Sequence, residues 1–457
     1  MAVNPIDLWA QQLPTAAQEW LDGRRVEEVE CIIGDFAGIA RGKVMPARKF
    51  IETTRSFLPV SIFYQTITGE YSDYDTEESW TERDMVLIPD LSTAVASPWA
   101  DDVTIQIIHD MESLDGEPVP LAPRYVLKRV LERYREKGWQ PIVAPELEFY
   151  LTKPNIDPDF PLEPPIGRSG RQGAGRQSYS IAAIDEYTAV IDTIYDYADA
   201  QGIEIDTIIQ EGGAGQIEIN LNHGDPLLLA DQVFTFKRTI REAALANDCY
   251  ATFMAKPIED EPGSAMHIHQ SVVDTKTGMN IFSNEDETPS DLFHWFIGGQ
   301  QKYLVSVISI LAPYVNSYRR LVPGVSAPIN LEWGRDNRST GIRIPTSGAA
   351  ARRVENRVVG MDTNPYLAMA ACLACGYLGM TNKTEPRAPV DGDAYSLPHV
   401  LPREMYDGLK QLNNHPEVRE ILGEEFCTMY QHTKSREFED YLKVISPWER
   451  EHLLLNV

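Results

Sequence analysis

The chain is poor in basic residues: 41 Lys and Arg stand against 68 Asp and Glu, so the formal charge is 41 − 68 = −27 over 457 residues. A nucleic-acid partner needs a basic face to neutralise its phosphates, so that class of function is excluded. Long apolar runs are also lacking. The longest nearly continuous one, residues 366–380, is interrupted by Gly376 and Gly379 and falls short of the ~20 residues that span a bilayer. No membrane partner is expected. Cysteine is scarce and odd in number, five in all, which fits a reducing compartment and argues against a disulfide framework. Cys372 and Cys375 sit in AMAACLACGYLGM, which reads as a buried helix, and no second Cys/His pair stands at zinc-ribbon spacing. The N-terminal stretch carries no basic residue before Arg24 and no sustained apolar core, so it does not read as a secretory leader and a cytoplasmic home is expected. The Gly- and Arg-rich segment 167–180 offers neither a Walker lysine nor a strict GxGxxG, and reads as a mobile surface loop near a site.

What is present is an ordinary globular composition, 43% apolar and 24% charged, at a length that suits two or three domains. The spacing predicts an amphipathic helix over 4–21, then an alternating hairpin over 26–44 with glycine turns. Strand-like segments at 84–90 and 102–108 extend this small sheet until the proline-bearing LDGEPVPLAPR. A boundary there separates an N-terminal unit, 1–115, from a mixed α/β unit, 116–457, that opens with a helix over 123–137. The fold class expected is α+β.

Four strand-like segments carry polar residues at every second position. Because side chains alternate across a strand, Glu146 and Glu148 share one face of VAPELEFYL, and Gln216, Glu218 and Asn220 share one face of GQIEINL, with Glu211 entering from the preceding turn. His267, His269 and Ser271 align in SAMHIHQS, and Arg353, Glu355 and Arg357 in ARRVENRVV. A solvated amphipathic strand accounts for any one of these; four together ask for another cause. Clustered glutamates raise one another's pKa unless cations sit among them, so the five carboxylates and one imidazole imply metal. Oxygen-rich ligation with one histidine and no thiolate suits Mg²⁺ or Mn²⁺ better than Zn²⁺. Arginines nearby would neutralise phosphate or carboxylate groups, and the whole set points to phosphoryl transfer.

At these residues the chain resembles the glutamine synthetase family. KPIEDEPGSAMHIHQS (256–271) satisfies the family's long ATP-site signature, and PELEF (145–149), GQIEINL (215–221), RLVPG (320–324) and NRSTGIRIP…RRVENR (337–357) follow the family's order. The resemblance implies an N-terminal β-grasp domain and a large catalytic domain, assembled in rings, dodecamers by family habit, whose active sites borrow the neighbour's N-terminal domain. It implies one metal on Glu148, Glu211 and Glu218 and a second on Glu146, His267 and Glu355, with two or more ions per site. Glutamate would be held by the Gly263 backbone, Arg320 and Arg357, and the nucleotide and its phosphates by His269, Ser271, Arg338, Arg343 and Arg353. Arg338, Arg343 and Arg320 would stabilise the charge that develops in the reaction.

Two departures bear on the substrate. Ammonium-using members carry a glutamate in the loop after RLVPG, where this chain has Ser326, and an aspartate in the N-terminal domain, whose apparent counterpart here is Tyr64. Pro262 also replaces the family's usual asparagine before Gly263, and Tyr395, where some bacterial members are adenylylated, reads as a plain loop tyrosine. The expectation is an ATP-dependent ligase joining glutamate to an organic amine, with a polyamine such as putrescine or spermidine first. The alternatives are an ammonium-using glutamine synthetase, a ligase for a monoamine or ethanolamine, and, remotely, an inactive structural relative. An acid such as Glu70 or Asp73 is what the ammonium alternative would call upon.

Overall fold

The computed structural model describes residues 4–53, 55–72, 82–324 and 326–457. Two sheets organise the chain. The first holds β1 (Glu28–Gly34), β2 (Ala40–Pro46), β3 (Ser56–Pro59), β4 (Asp84–Pro89), β5 (Val95–Ala96) and β6 (Thr104–Glu112). Its order is β2-β1-β6-β4-β3, with β5 on β6; β1 and β2 form the expected antiparallel hairpin, and β1 runs parallel to β6. The single helix expected over 4–21 is two, Pro5–Ala10 and Thr15–Trp20, because Pro14 has no N–H to continue the first and stands at the N-cap of the second.

The second sheet is built from β7 (Trp139–Thr152), β8 (Ile205–Gln210), β9 (Gln216–Leu221), β10 (Tyr250–Thr252), β11 (Ile268–Asp274), β12 (Trp333–Arg335), β13 (Ile342–Ile344) and β14 (Val354–Asn356). Its order is β12-β13-β14-β11-β7-β9-β8, with β10 on β7. The four segments with polar faces are therefore β14, β11, β7 and β9, consecutive neighbours in one sheet. The fold is α+β, with the change from first to second sheet falling between Glu112 and Trp139.

Helices cover the apolar side of the second sheet. Pro123–Glu136 packs its buried Val126, Leu127 and Val130 inward, near the span its apolar spacing predicts. Helix Pro365–Asn382 is buried from Pro365 to Met380, as its continuous apolar sequence requires, and its cysteines are free and fully buried. Asn364 starts it: the side chain accepts from the Tyr366 and Leu367 N–H groups, and Pro365 at the first position has no N–H to leave unpaired. Among the described residues no helix is long and apolar enough to cross a membrane. A hydrophobic cluster runs through both parts, with Phe36 of the N-terminal unit against Phe426 and Tyr430 of the helix Glu424–Tyr441.

Candidate active site

Strand register brings the carboxylates together. In the antiparallel β7/β9 pair Glu148 lies directly opposite Glu218 and Glu146 opposite Asn220. On the other side of β7 the Glu146 and Glu148 N–H groups donate to the His267 and Ala265 carbonyls, so the chain leading into β11 carries His267 alongside. In β14, Glu355 pairs with His269 of β11 and Arg343 of β13. Glu211 follows the end of β8. Glu146, Glu148, Glu211, Glu218, His267 and Glu355 all line one cavity of about 350 Å³.

Like charges placed opposite one another are unfavourable, and the cavity shows how they are managed. Glu146 joins both imidazoles, Oε2 to His267 Nδ1 at 2.9 Å and Oε1 to His269 Nε2 at 2.8 Å. Burial would raise its pKa, but those two hydrogen bonds outweigh it and hold Glu146 well below the usual range. Glu355 is nearly inaccessible; Arg343 and Arg357 each donate to one of its oxygens at 2.6 Å, and against the upward push of burial the arginine and the two histidines keep it ionised. Among the described residues Glu148 and Glu218 have no such cationic hydrogen-bond partner. Glu148 accepts the Ala265 N–H, at 2.8 Å, and burial with Glu211 nearby pushes it up to about 8. Glu218 accepts from Asn220, and burial with Glu146, Glu148 and Glu211 pushes it up to about 9. Glu211 is raised as well, mainly by burial.

This donor set fits divalent cations. Among the described residues two groups bring ligand atoms within 4.8 Å of one another: Glu146, His267 and Glu355, and Glu148, Glu218 and His267. The first is the trio expected from sequence. The second differs from the expected one, since His267 is common to both groups and Glu211 lines the cavity without joining the tight cluster. Carboxylates driven to about 8 and 9 are the ones a cation would restore to the ionised form.

Arg320, Arg338, Arg343, Arg357, Gly263 and Ser326 line the same cavity. Arg320 is buried and donates to the carbonyls of Arg357, Val358 and Val359, and burial brings its pKa down to about 10. Gly263 cannot carry a side chain, because a Cβ would stand 2.5 Å from both the Ala255 carbonyl oxygen and Arg320 Cγ. The Arg357 Nε is buried and has no hydrogen-bond partner among the described residues. A second cavity of about 780 Å³ adjoins, sharing Glu146 and Asn220 and lined by His269, Ser271 and Arg353. Arg353 Nε donates to His269 Nδ1 at 3.2 Å. Arg338 and Arg343, expected among the nucleotide ligands, line the carboxylate cavity and not this one.

Tyr64 reaches neither cavity. It ends a short 3-10 turn, Val60–Tyr64, and its side chain is 4% exposed within the N-terminal core. Of the acids considered nearby, Glu70 lies in an exposed turn and Asp73 lies outside the described residues. Two tyrosines matter more than sequence reasoning allowed. Tyr179, 64% exposed, lines the carboxylate cavity together with Ser178, so the Gly/Arg segment does border the site; its one aromatic residue was the available signal. Tyr395 donates its hydroxyl to the Ala327 carbonyl at 3.0 Å, on the cavity wall.

The family model for the glutamine synthetase catalytic domain matches residues 120–453. The chain belongs to the glutamine synthetase family. Its relatives include gamma-glutamylputrescine synthetase PuuA of Escherichia coli (strain K12), 34% identical over 434 residues that cover 94% of this chain and 92% of that protein. Glutamate--isopropylamine ligase of a Pseudomonas species is 30% identical, covering 94% and 96%. The glutamine synthetase of Thermus thermophilus is 33% identical, covering 87% and 92%. Two solved structures, apo GmaS without ligand and a GmaS/ADP complex, each superpose with a TM-score of 0.81 at 27% identity, covering 96% and 95% of this chain and 99% and 98% of theirs. Ligases of this family use ATP and divalent metal ions, and their substrates are glutamate and an amine.

Proposed function

We propose that this chain joins the γ-carboxylate of glutamate to an organic amine at the expense of ATP, through a γ-glutamyl phosphate. The observation that carries the reading is the wall beside Arg357: Ser326 and Ala327, both uncharged, line the cavity where ammonium-using members carry a glutamate. Ammonium is a small cation that must be desolvated and deprotonated beside the acyl phosphate, a task that calls for negative charge. A neutral wall, in a cavity that Tyr179 also lines, suits an alkyl chain instead. The likeness to a putrescine and an isopropylamine ligase supports the same choice.

Glutamate is held by the Gly263 backbone and by the fork of Arg357, whose Nε, without a partner among the described residues, offers one more donor to an α-carboxylate. Arg320 fixes the backbone that carries Arg357. Arg338 and Arg343, which line the carboxylate cavity, would neutralise the phosphoryl oxygens, and His269, Ser271 and Arg353 suit the nucleotide. Divalent cations, Mg²⁺ or Mn²⁺, would be held by Glu146, His267 and Glu355 and by Glu148, Glu218 and His267 with Glu211 near, and would supply charge neutralisation on the transferring phosphoryl group. We further infer a cytoplasmic enzyme, a domain boundary at 115/116 and a ring, a dodecamer by family resemblance, with sites shared between subunits. Tyr64 is left out of the amine site because its ring is packed inside its own chain.

The test is product identification. With ATP, glutamate and each of putrescine, spermidine, ethanolamine, simple monoamines and ammonium, the expected result is a γ-glutamyl amide, ADP and phosphate with at least one organic amine. Glutamine from ammonium as the sole product would return the chain to the synthetases, and no product from any amine would favour an inactive relative.

A further inference from the structure

We infer that Tyr395 is a positioning residue that holds one wall of the amine cavity in place. The segment 390–396 ties two cavity-lining stretches together. On one side the Asn337 side-chain amide donates to the carbonyls of Val390 at 3.0 Å and Gly392 at 2.8 Å, and Ser339 Oγ accepts the Ala394 N–H at 2.9 Å. Arg338, between those two residues, lines the cavity. On the other side the Asn330 amide donates to the Ala394 carbonyl at 2.9 Å, and the Tyr395 hydroxyl donates to the Ala327 carbonyl at 3.0 Å. Ala327 and Ser326 are lining residues; Tyr395 is not, so it acts through them.

The wall needs holding. Ser326 has φ +63°, the left-handed region that a residue with a side chain avoids. Two consecutive carbonyls are held by hydrogen bonds, Ser326 by Arg357 Nη2 at 3.3 Å and Ala327 by the Tyr395 hydroxyl at 3.0 Å. Removing the tyrosine hydroxyl leaves the strained serine with the longer bond alone. The wall then relaxes, and the acyl phosphate is open to water. Attack of water on its carbonyl carbon breaks the bond to the phosphate oxygen and returns glutamate and phosphate with no amide formed.

This inference rests on the ligase reading, and its test separates the two. In substrate-free Tyr395→Phe, hydrogen exchange in the peptide covering 322–329 is expected to speed up about two- to tenfold, the effect of one lost hydrogen bond, while the unfolding midpoint stays put. During turnover, phosphate released per amide formed should rise by about the same factor. A role in stability alone would lower the midpoint without moving that ratio. The double variant Tyr395→Phe with Ser326→Gly should return the ratio toward the parent value, because glycine adopts the left-handed backbone freely; no return would overturn the part given to Ser326. Unchanged local exchange, or faster exchange with an unchanged ratio, would overturn the role of Tyr395. If the unmodified protein forms no amide at all, the ligase reading falls, and the exchange comparison still decides whether Tyr395 holds this wall.

Discussion

Glu148 and Glu218 face each other across two strands, and burial makes each favour the protonated form. The unfolded chain releases those protons near pH 4.5, whereas the folded chain keeps them to about 8 for Glu148 and about 9 for Glu218. The folded state therefore binds more protons between these values, so the stability these two groups contribute is full below pH 4.5 and is lost as pH rises through about 8 and 9. Chelator-treated protein should show this fall in thermal unfolding, and Mg²⁺ or Mn²⁺ should flatten it. Glu148→Gln should flatten it in part and leave the metal-free midpoint equal or higher, while turnover drops at least about 100-fold. A midpoint that falls with near-normal activity would show Glu148 to be a packing residue. The carboxylates were legible in the sequence because strand alternation puts them on one face. Tyr64, which ends a 3-10 turn packed into its own N-terminal core, lines neither cavity of its own chain, and Tyr395 reads as a plain loop tyrosine in the sequence because its partner is a backbone carbonyl 68 residues away.

At the scale of elements, periodicity identified the strands but not their neighbours. Nothing in VAPELEFYL names GQIEINL and SAMHIHQS as its two flanking segments; pairing is fixed by tertiary packing, and the order β14-β11-β7-β9 had to be seen. The glycines of helix Pro365–Asn382 make the same point. In the sequence they only shorten an apolar run, but in the fold Gly379 lies against Gly299 of helix Asp291–Tyr303, where a Cβ would come within 2.5 Å of the Gly299 Cα. Alanine there would gain about 1 kcal/mol of helix propensity. Overpacking of backbone against backbone outweighs it, so Gly379→Ala should lose a net of about 1–2 kcal/mol in urea unfolding. A gain in stability would mean that the two helices separate at little cost.

The whole molecule is joined by a charge cluster, buried at Arg124 and Asp231 and half-buried at Asp90 and Asp110, that no motif announces. Arg124, in the first catalytic-unit helix, donates to Asp90 at 2.7 Å and Asp110 at 2.8 Å from the first sheet and its following turn, and to Asp231 at 2.8 and 2.9 Å from helix Pro226–Leu245. Tyr366 closes the cluster with a 2.7 Å bond to Asp231. Glu30 of β1 holds Arg238 in a bidentate pair, at 2.5 and 2.9 Å, across the same junction. Truncating one partner of a buried pair strands the other, so Asp231→Ala should cost about 3–5 kcal/mol. Asp231→Asn, which can still accept from Arg124, should cost less. An equal loss in both variants would show that charge, and not hydrogen bonding, holds the two sheets together.

The central claim is that a neutral wall beside Arg357 makes this member of the family a ligase of organic amines, and the ratio of kcat/KM values for amine and ammonium tests it most directly. Measured with saturating ATP, glutamate and Mg²⁺, at least one organic amine should exceed ammonium, and Ser326→Glu should narrow the gap by restoring the missing charge. A higher kcat/KM for ammonium than for every di-, poly- and monoamine tried would contradict the account.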